Sequence, residues 1–202
     1  MSSVRLLFVC TGNICRSPSA EFLLRRHLEN RLGEASKQIE LSSAGLGTPG
    51  GWELDPKVAD LLHTMRIDDT REFRSRRVDT SVLADADLVL TGTKQHRLTI
   101  GAEFPEAYAK TFTMREAATL LTRADTRGLP PYDLVERAAE LIALLKRERG
   151  IRALADDQLD IDDPHGRRTS AYEAMFTQVR GVVDVFSFLM APMTVQGLQR
   201  QP

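Results

Sequence analysis

Cysteine is scarce in this sequence: there are two among 202 residues, and both, Cys10 and Cys15, stand in one short stretch. A pair so close together cannot staple a secreted scaffold, so the fold must rest on a packed core, and the usage fits a reducing, cytoplasmic setting. Long apolar runs are missing as well. Nothing approaches the ~18 consecutive apolar residues of a membrane helix, which argues against membrane insertion. One early arginine and a short apolar run do not make a signal peptide. Charge of one sign is also lacking. A formal net charge of −1 with 42% hydrophobic residues gives no reason to expect a nucleic-acid partner or a disordered chain. Neither an internal repeat nor a low-complexity tract is present. A chain of 202 residues is long enough for one domain, residues 1–202, around a single core.

What is present is concentrated in Cys10-Thr11-Gly12-Asn13-Ile14-Cys15-Arg16-Ser17-Pro18. Val4–Val9 reads as a buried strand before it, and Ala20, Leu23, Leu24, His27 and Leu28 give helical spacing after it, for about three turns. Strand, tight loop and helix in this order place a cysteine at the carboxyl edge of a sheet, where open α/β folds bind ligands. The helix start and a nest of loop amides offer N–H groups to an anion. A thiol attacks as thiolate, and a helix N-terminus plus a cation can lower a cysteine pKa from about 8.5 to roughly 3.5–7.5. Arg16 supplies the cation, and its planar fork suits two phosphate oxygens. Gly12 and Asn13 are residue types that take positive φ readily. Ser17 would donate to the thiolate or cap the helix, with Pro18 as first helical residue. The stretch reads as an oxyanion pocket with a nucleophile at its base.

At these residues the sequence resembles the low-molecular-weight protein tyrosine phosphatases, whose phosphate-binding loop CTGNICRSPSAE matches almost letter for letter. Ser42-Ser43-Ala44-Gly45, Asp55-Pro56, Ala86-Asp87-Leu88-Val89-Leu90 and Asp163-Pro164 follow in the family's order, so the resemblance spans about residues 4–122 and 159–190. It implies an open four-stranded parallel sheet with helices on both faces, and hydrolysis without metal or cofactor. Residues 123–158 read as an insertion in that domain.

The rest of the chain fits this α/β architecture. Ile39–Ser43, Leu88–Thr91 and Ala109–Phe112 read as further strands, and strands alternating with helical patterns argue for a parallel, doubly wound sheet. Asp55 is a good N-cap for a helix opening on Pro56, with Val58, Leu61, Leu62 and Met65 as its stripe. Thr93–Arg97 opens a polar helix or turn, and a helix is expected around Arg115–Thr122. Arg71, Arg74, Arg76 and Arg77 read as a solvated loop rather than an acidic-partner patch. Leu134, Ala138, Leu141, Ile142 and Leu145 mark a helix, charged outside, that either packs on the core or forms a lid. The aspartates of Leu154–Asp163 lack EF-hand spacing. His27 reads as a packed helix residue. Tyr172 to Leu189 draw a long final helix, and the last ten residues a frayed tail.

Phosphate-ester cleavage needs a nucleophile, neutralised equatorial oxygens and a proton for the leaving oxygen. Cys10 is the nucleophile by position, and the backbone from Thr11 through Gly12, Asn13, Ile14, Cys15, Arg16 and Ser17 would hold the phosphate. The resemblance assigns the general acid to Asp163, with Asp162 as competitor and an ordinary turn as the alternative. It also makes Cys15 a reversible disulfide partner of Cys10, and Asn13, Ser17 and Ser43 supports of the loop. Phe73, Thr48 and His165 depart from the family's pattern, where relatives place a histidine, an aromatic wall and an aromatic; Trp52 stands near enough to replace the wall or to anchor the core. Ile14 suits a phenyl ester better than a guanidinium, which favours a phosphotyrosine protein as substrate over phosphoarginine. Competing readings are an arsenate reductase drawing on an external thiol, since no cysteine follows Cys15, and a phosphate-binding module without turnover.

Overall fold

The computed structural model describes residues 3–151 and 159–191. Strand β1 (Val4–Cys10) turns Leu6 and Phe8 to one core cluster and Leu7 and Val9 to another. Burial on both faces is why it reads as a nearly unbroken apolar run. With β2 (Ile39–Gly45), β3 (Leu88–Thr91) and β4 (Thr111–Thr113) it forms a parallel sheet in the order β2-β1-β3-β4. β2 runs on to Gly45, two residues past its expected end. β4 starts later than Ala109 because Pro105–Lys110 forms a 3-10 turn there.

The helices are α1 (Arg16–Leu32), α2 (Pro56–Thr64), α3 (Thr80–Asp85), α4 (Lys94–Glu103), α5 (Met114–Arg123), α6 (Leu134–Ile151) and α7 (Thr169–Met190). Residues of α1, α2, α5, α6 and α7 fill the larger cluster, while Leu83 of α3 and Ile100 of α4 cover the opposite face. α1 spans 17 residues, longer than the expected three turns, because Leu24, Leu28 and Leu32 extend its buried stripe. It also begins at Arg16, not at Pro18. Asp55 caps α2 by accepting the Lys57 N–H, as the sequence predicts.

α6 is a packing helix: Ala138, Leu141 and Leu145 are buried against the main core. Near its end Arg149 binds Glu116 at 2.9 Å, gives a hydrogen bond to the Thr111 carbonyl and covers the Phe112 ring, shielding the β4 edge. Asp156, Asp157 and the final ten residues of the sequence reading lie outside the described residues. Among the described residues no helix is long and apolar enough to cross a membrane.

Candidate active site

Strand order reverses between β2 and β3, on either side of β1, so the carboxyl end of β1 is the sheet's switch point. Cys10 is the last residue of β1, and Arg16 is the first of α1. The loop between them is pinned through its carbonyls. Those of Cys10, Thr11, Ile14 and Cys15 accept from the N–H groups of Leu46, Gly47, Asp55 and Ser19 at 2.9–3.1 Å. Gly45 lies against the loop so closely that an added Cβ would stand 2.6 Å from the Thr11 carbonyl oxygen. Only glycine permits that approach.

A chain of side-chain bonds runs beneath. The Arg76 backbone N–H donates to Asn13 Oδ1 at 3.0 Å, and Asn13 Nδ2 donates to Ser17 Oγ and Ser43 Oγ at 3.0 and 2.8 Å. Ser17 Oγ then lies 3.0 Å from Cys10 Sγ. Because Ser17 accepts from Asn13, its own proton is left for two acceptors, the sulfur at 3.0 Å and the Ala44 carbonyl at 3.4 Å, and the sulfur is the nearer. Asn13 is fully buried with φ 54, a left-handed conformation that Asn tolerates.

Arg16 is buried, and its Nη2 meets Asp163 Oδ2 at 2.7 Å, joining the loop to residues 147 positions away. Its Nη1 reaches the Ile161 carbonyl, and Nη2 also reaches Thr11 Oγ1. Its Nε is buried without a hydrogen-bond partner among the described residues. Cys10, Ile14, Cys15, Arg16, Gly47, Trp52, Asp163 and His165 are among the residues around a cavity of about 260 Å³ over the loop.

Residues 5–149 match the family model of the low molecular weight phosphotyrosine protein phosphatases. The chain belongs to this family. It is 25% identical over 181 residues to a probable low molecular weight protein-tyrosine-phosphatase, EpsP, of Ralstonia solanacearum, covering 90% of this chain and 92% of that one. A protein-arginine-phosphatase of Bacillus subtilis is 32% identical over 114 residues, 56% of this chain and 72% of the relative. The crystal structure of a low molecular weight protein tyrosine phosphatase from T. tengcongensis superposes with a TM-score of 0.65 at 26% identity, covering 91% of this chain and 97% of that one.

In this low molecular weight phosphatase several local expectations change. Ser17 is the second residue of α1 and makes no cap; of the two roles read for it, the structure has the contact with sulfur. Gly12 does not take positive φ; within the loop only Asn13 does. Thr48 is no pocket wall: it is buried behind the loop, bonded to Ser75. Trp52 is 48% exposed and borders the cavity, so it replaces the wall and does not anchor the core. Phe73 packs edge-on against Phe22, and the Arg76 backbone completes the network on Asn13. Arg76 is thus more than a solvated loop residue, its guanidinium also holding the Ser43 carbonyl.

Asp162 and Asp163 separate cleanly. Asp162 exchanges two hydrogen bonds with Gln178 of α7, while Asp163 turns to Arg16. The turn reading for Asp163 holds as well, since the Arg167 N–H closes on the Pro164 carbonyl and Gly166 takes φ 73. Both cysteines are free, and burial, helped by the Asp55 carboxylate, pushes the Cys15 thiol well up from its ordinary value.

Sequence reasoning missed two parts. His96 Nε2 lies 2.9 Å from Thr11 Oγ1, and burial with Arg16 close by pushes the imidazole down to about 4, so it is neutral near pH 7. Its position in the first turn of α4, just past the carboxyl end of β3, was the available signal. Tyr172 donates its O–H to Asp55 Oδ2 at 2.8 Å, beside His165 Nδ1 at 3.4 Å from the same oxygen. No sequence pattern joins those three.

Proposed function

We propose that the protein is a metal-independent, cytoplasmic phosphatase acting on phosphotyrosine in proteins through a cysteinyl-phosphate intermediate. Cys10 attacks phosphorus with Ser17 donating to its sulfur, and the loop amides with Arg16 take the equatorial oxygens. Asp163 protonates the departing phenolate and then activates water against the phosphocysteine. The observation carrying this reading is the buried Arg16 Nε without a partner beside a thiol-lined cavity, a donor that a bound oxyanion would satisfy. Asp163 pairs with the Arg16 guanidinium, and an incoming dianion competes for that fork and frees the carboxyl for its work as acid. His96 acts as a positioning residue, holding Thr11 against Arg16.

Ile14 and Trp52 give the cavity an apolar rim, which favours an aryl ester over a guanidinium. A panel of phosphotyrosine and phosphoarginine peptides with purified protein tests this: faster turnover of phosphotyrosine supports it, and preference for phosphoarginine moves the substrate class to that of the Bacillus relative. Thiol-dependent arsenate consumption with negligible ester hydrolysis would replace the reading altogether. Cys15 completes the proposal as redox partner: peroxide converts the Cys10 thiolate to sulfenic acid, and Cys15 displaces water to close the disulfide.

A further inference from the structure

One cluster of metal-ligating side chains stands beside the reaction path and takes no part in the hydrolysis. Cys15 Sγ, an Asp55 carboxylate oxygen and a ring nitrogen of His165 all lie within 4.8 Å of one another. Sulfur, imidazole and carboxylate together are the donor set of zinc-class cations rather than of magnesium or calcium. Ligands around a tetrahedral ion at bonds of about 2.0–2.3 Å stand roughly 3.3–3.8 Å apart. Asp55 Oδ2 and His165 Nδ1 are already at 3.4 Å.

The supporting contacts fit the same role. Asp55 is fixed at both oxygens, Oδ1 by the Lys57 N–H and Oδ2 by the Tyr172 hydroxyl, and Oδ2 keeps a lone pair. Cys15 is buried at the start of α1, while His165 is exposed on its turn and can close the remaining distance. Cys15 and His165 both line the cavity over Cys10, which gives an ion its way in.

We propose that Cys15, Asp55 and His165 form a site for a thiophilic divalent cation of the zinc class, its fourth position open to the phosphate cavity. Binding forms a sulfur–metal bond and releases the Cys15 proton to solvent, with no change of oxidation state. The cation's charge favours the thiolate over the thiol. The ion would also crowd the space that a phosphoryl group must enter, so occupancy inhibits reversibly.

The test is a Co²⁺ titration of the reduced, full-length protein, read by absorption, followed by displacement with Zn²⁺ and with Mg²⁺. Expected are one Co²⁺ per chain, a thiolate-to-cobalt band in the near ultraviolet, displacement by Zn²⁺ and none by Mg²⁺. Cys15→Ser should abolish the band and Cys10→Ser should keep it. His165→Ala, at an exposed position and checked for folding by circular dichroism, should weaken binding about tenfold or more, and Tyr172→Phe should weaken it less. A band lost in Cys10→Ser, unchanged affinity in His165→Ala, or equal competition by Mg²⁺ would overturn the site.

Discussion

The floor of the site and its rim are built in opposite ways. The floor is contiguous: Cys10 to Ser17, most of it buried, with Asn13, Ser17 and Arg16 each bonded to neighbours inside the protein. The rim is assembled from distant segments, Trp52 before α2, Asp163 and His165 before α7, and all three are exposed. The difference teaches that anion capture is written locally, in one strand–loop–helix, whereas leaving group and substrate are handled by side chains that only the tertiary fold brings together. Substitutions in the floor, apart from Ile14 whose side chain reaches the rim, should therefore slow every substrate alike. Those in the rim should discriminate between substrates.

The largest effect belongs to the floor. Cys10→Ser should lower turnover of any aryl phosphate by at least about four orders of magnitude, measured under substrate saturation. Asp163→Ala comes next, costing about 10²–10³ in kcat for esters with poor leaving groups and much less for good ones. Asp162→Ala should stay within about twofold; equal losses in the two variants would erase the distinction between them. Asn13→Ala removes three hydrogen bonds from a buried side chain at positive φ. It should cost about 2–4 kcal/mol in urea unfolding and lower kcat/KM by a similar factor on all substrates. Unequal losses across substrates would blur floor and rim. Trp52→Ala should raise KM for aryl substrates up to about tenfold while leaving non-aromatic phosphates nearly unchanged.

His96 gives the most specific effect. Below about pH 6.5 the unfolded imidazole takes a proton, while the folded one stays neutral until about pH 4. The unfolded chain binds more protons across that window, so stability falls as pH drops through it, by at most roughly 3 kcal/mol. His96→Asn should flatten that slope in urea titrations between those pH values. An unchanged slope would show that the ring is solvated and plays no part in holding Thr11.

The same contrast explains what could be read from the residues alone. β1, the loop and the presence of a helix after it were legible because each depends on neighbours in sequence: an apolar run, loop-forming residues, then helical spacing. The sheet and its helices on both faces followed from alternation of the two periodicities, whereas Asp163 was singled out only by the family resemblance, with Pro164 setting it apart from Asp162. Ser17 was only half legible, since capping and sulfur contact both suit a serine and the position of the helix start decides between them. Thr48 and Trp52 were not separable, because which of them faces the cavity depends on how residues 46–54 fold back over Ser75. His96 and Tyr172 were missed for a plainer reason: their partners Thr11 and Asp55 lie 85 and 117 positions away.

The most direct measurement is rapid quenching of the enzyme with an aryl phosphate, followed by mass spectrometric mapping under acid conditions. Phosphate should be found on the Cys10 sulfur, and Asp163→Ala should retain the intermediate longer when water is the acceptor. Phosphate on another side chain, or hydrolysis that persists in Cys10→Ser at a comparable rate, would contradict the account.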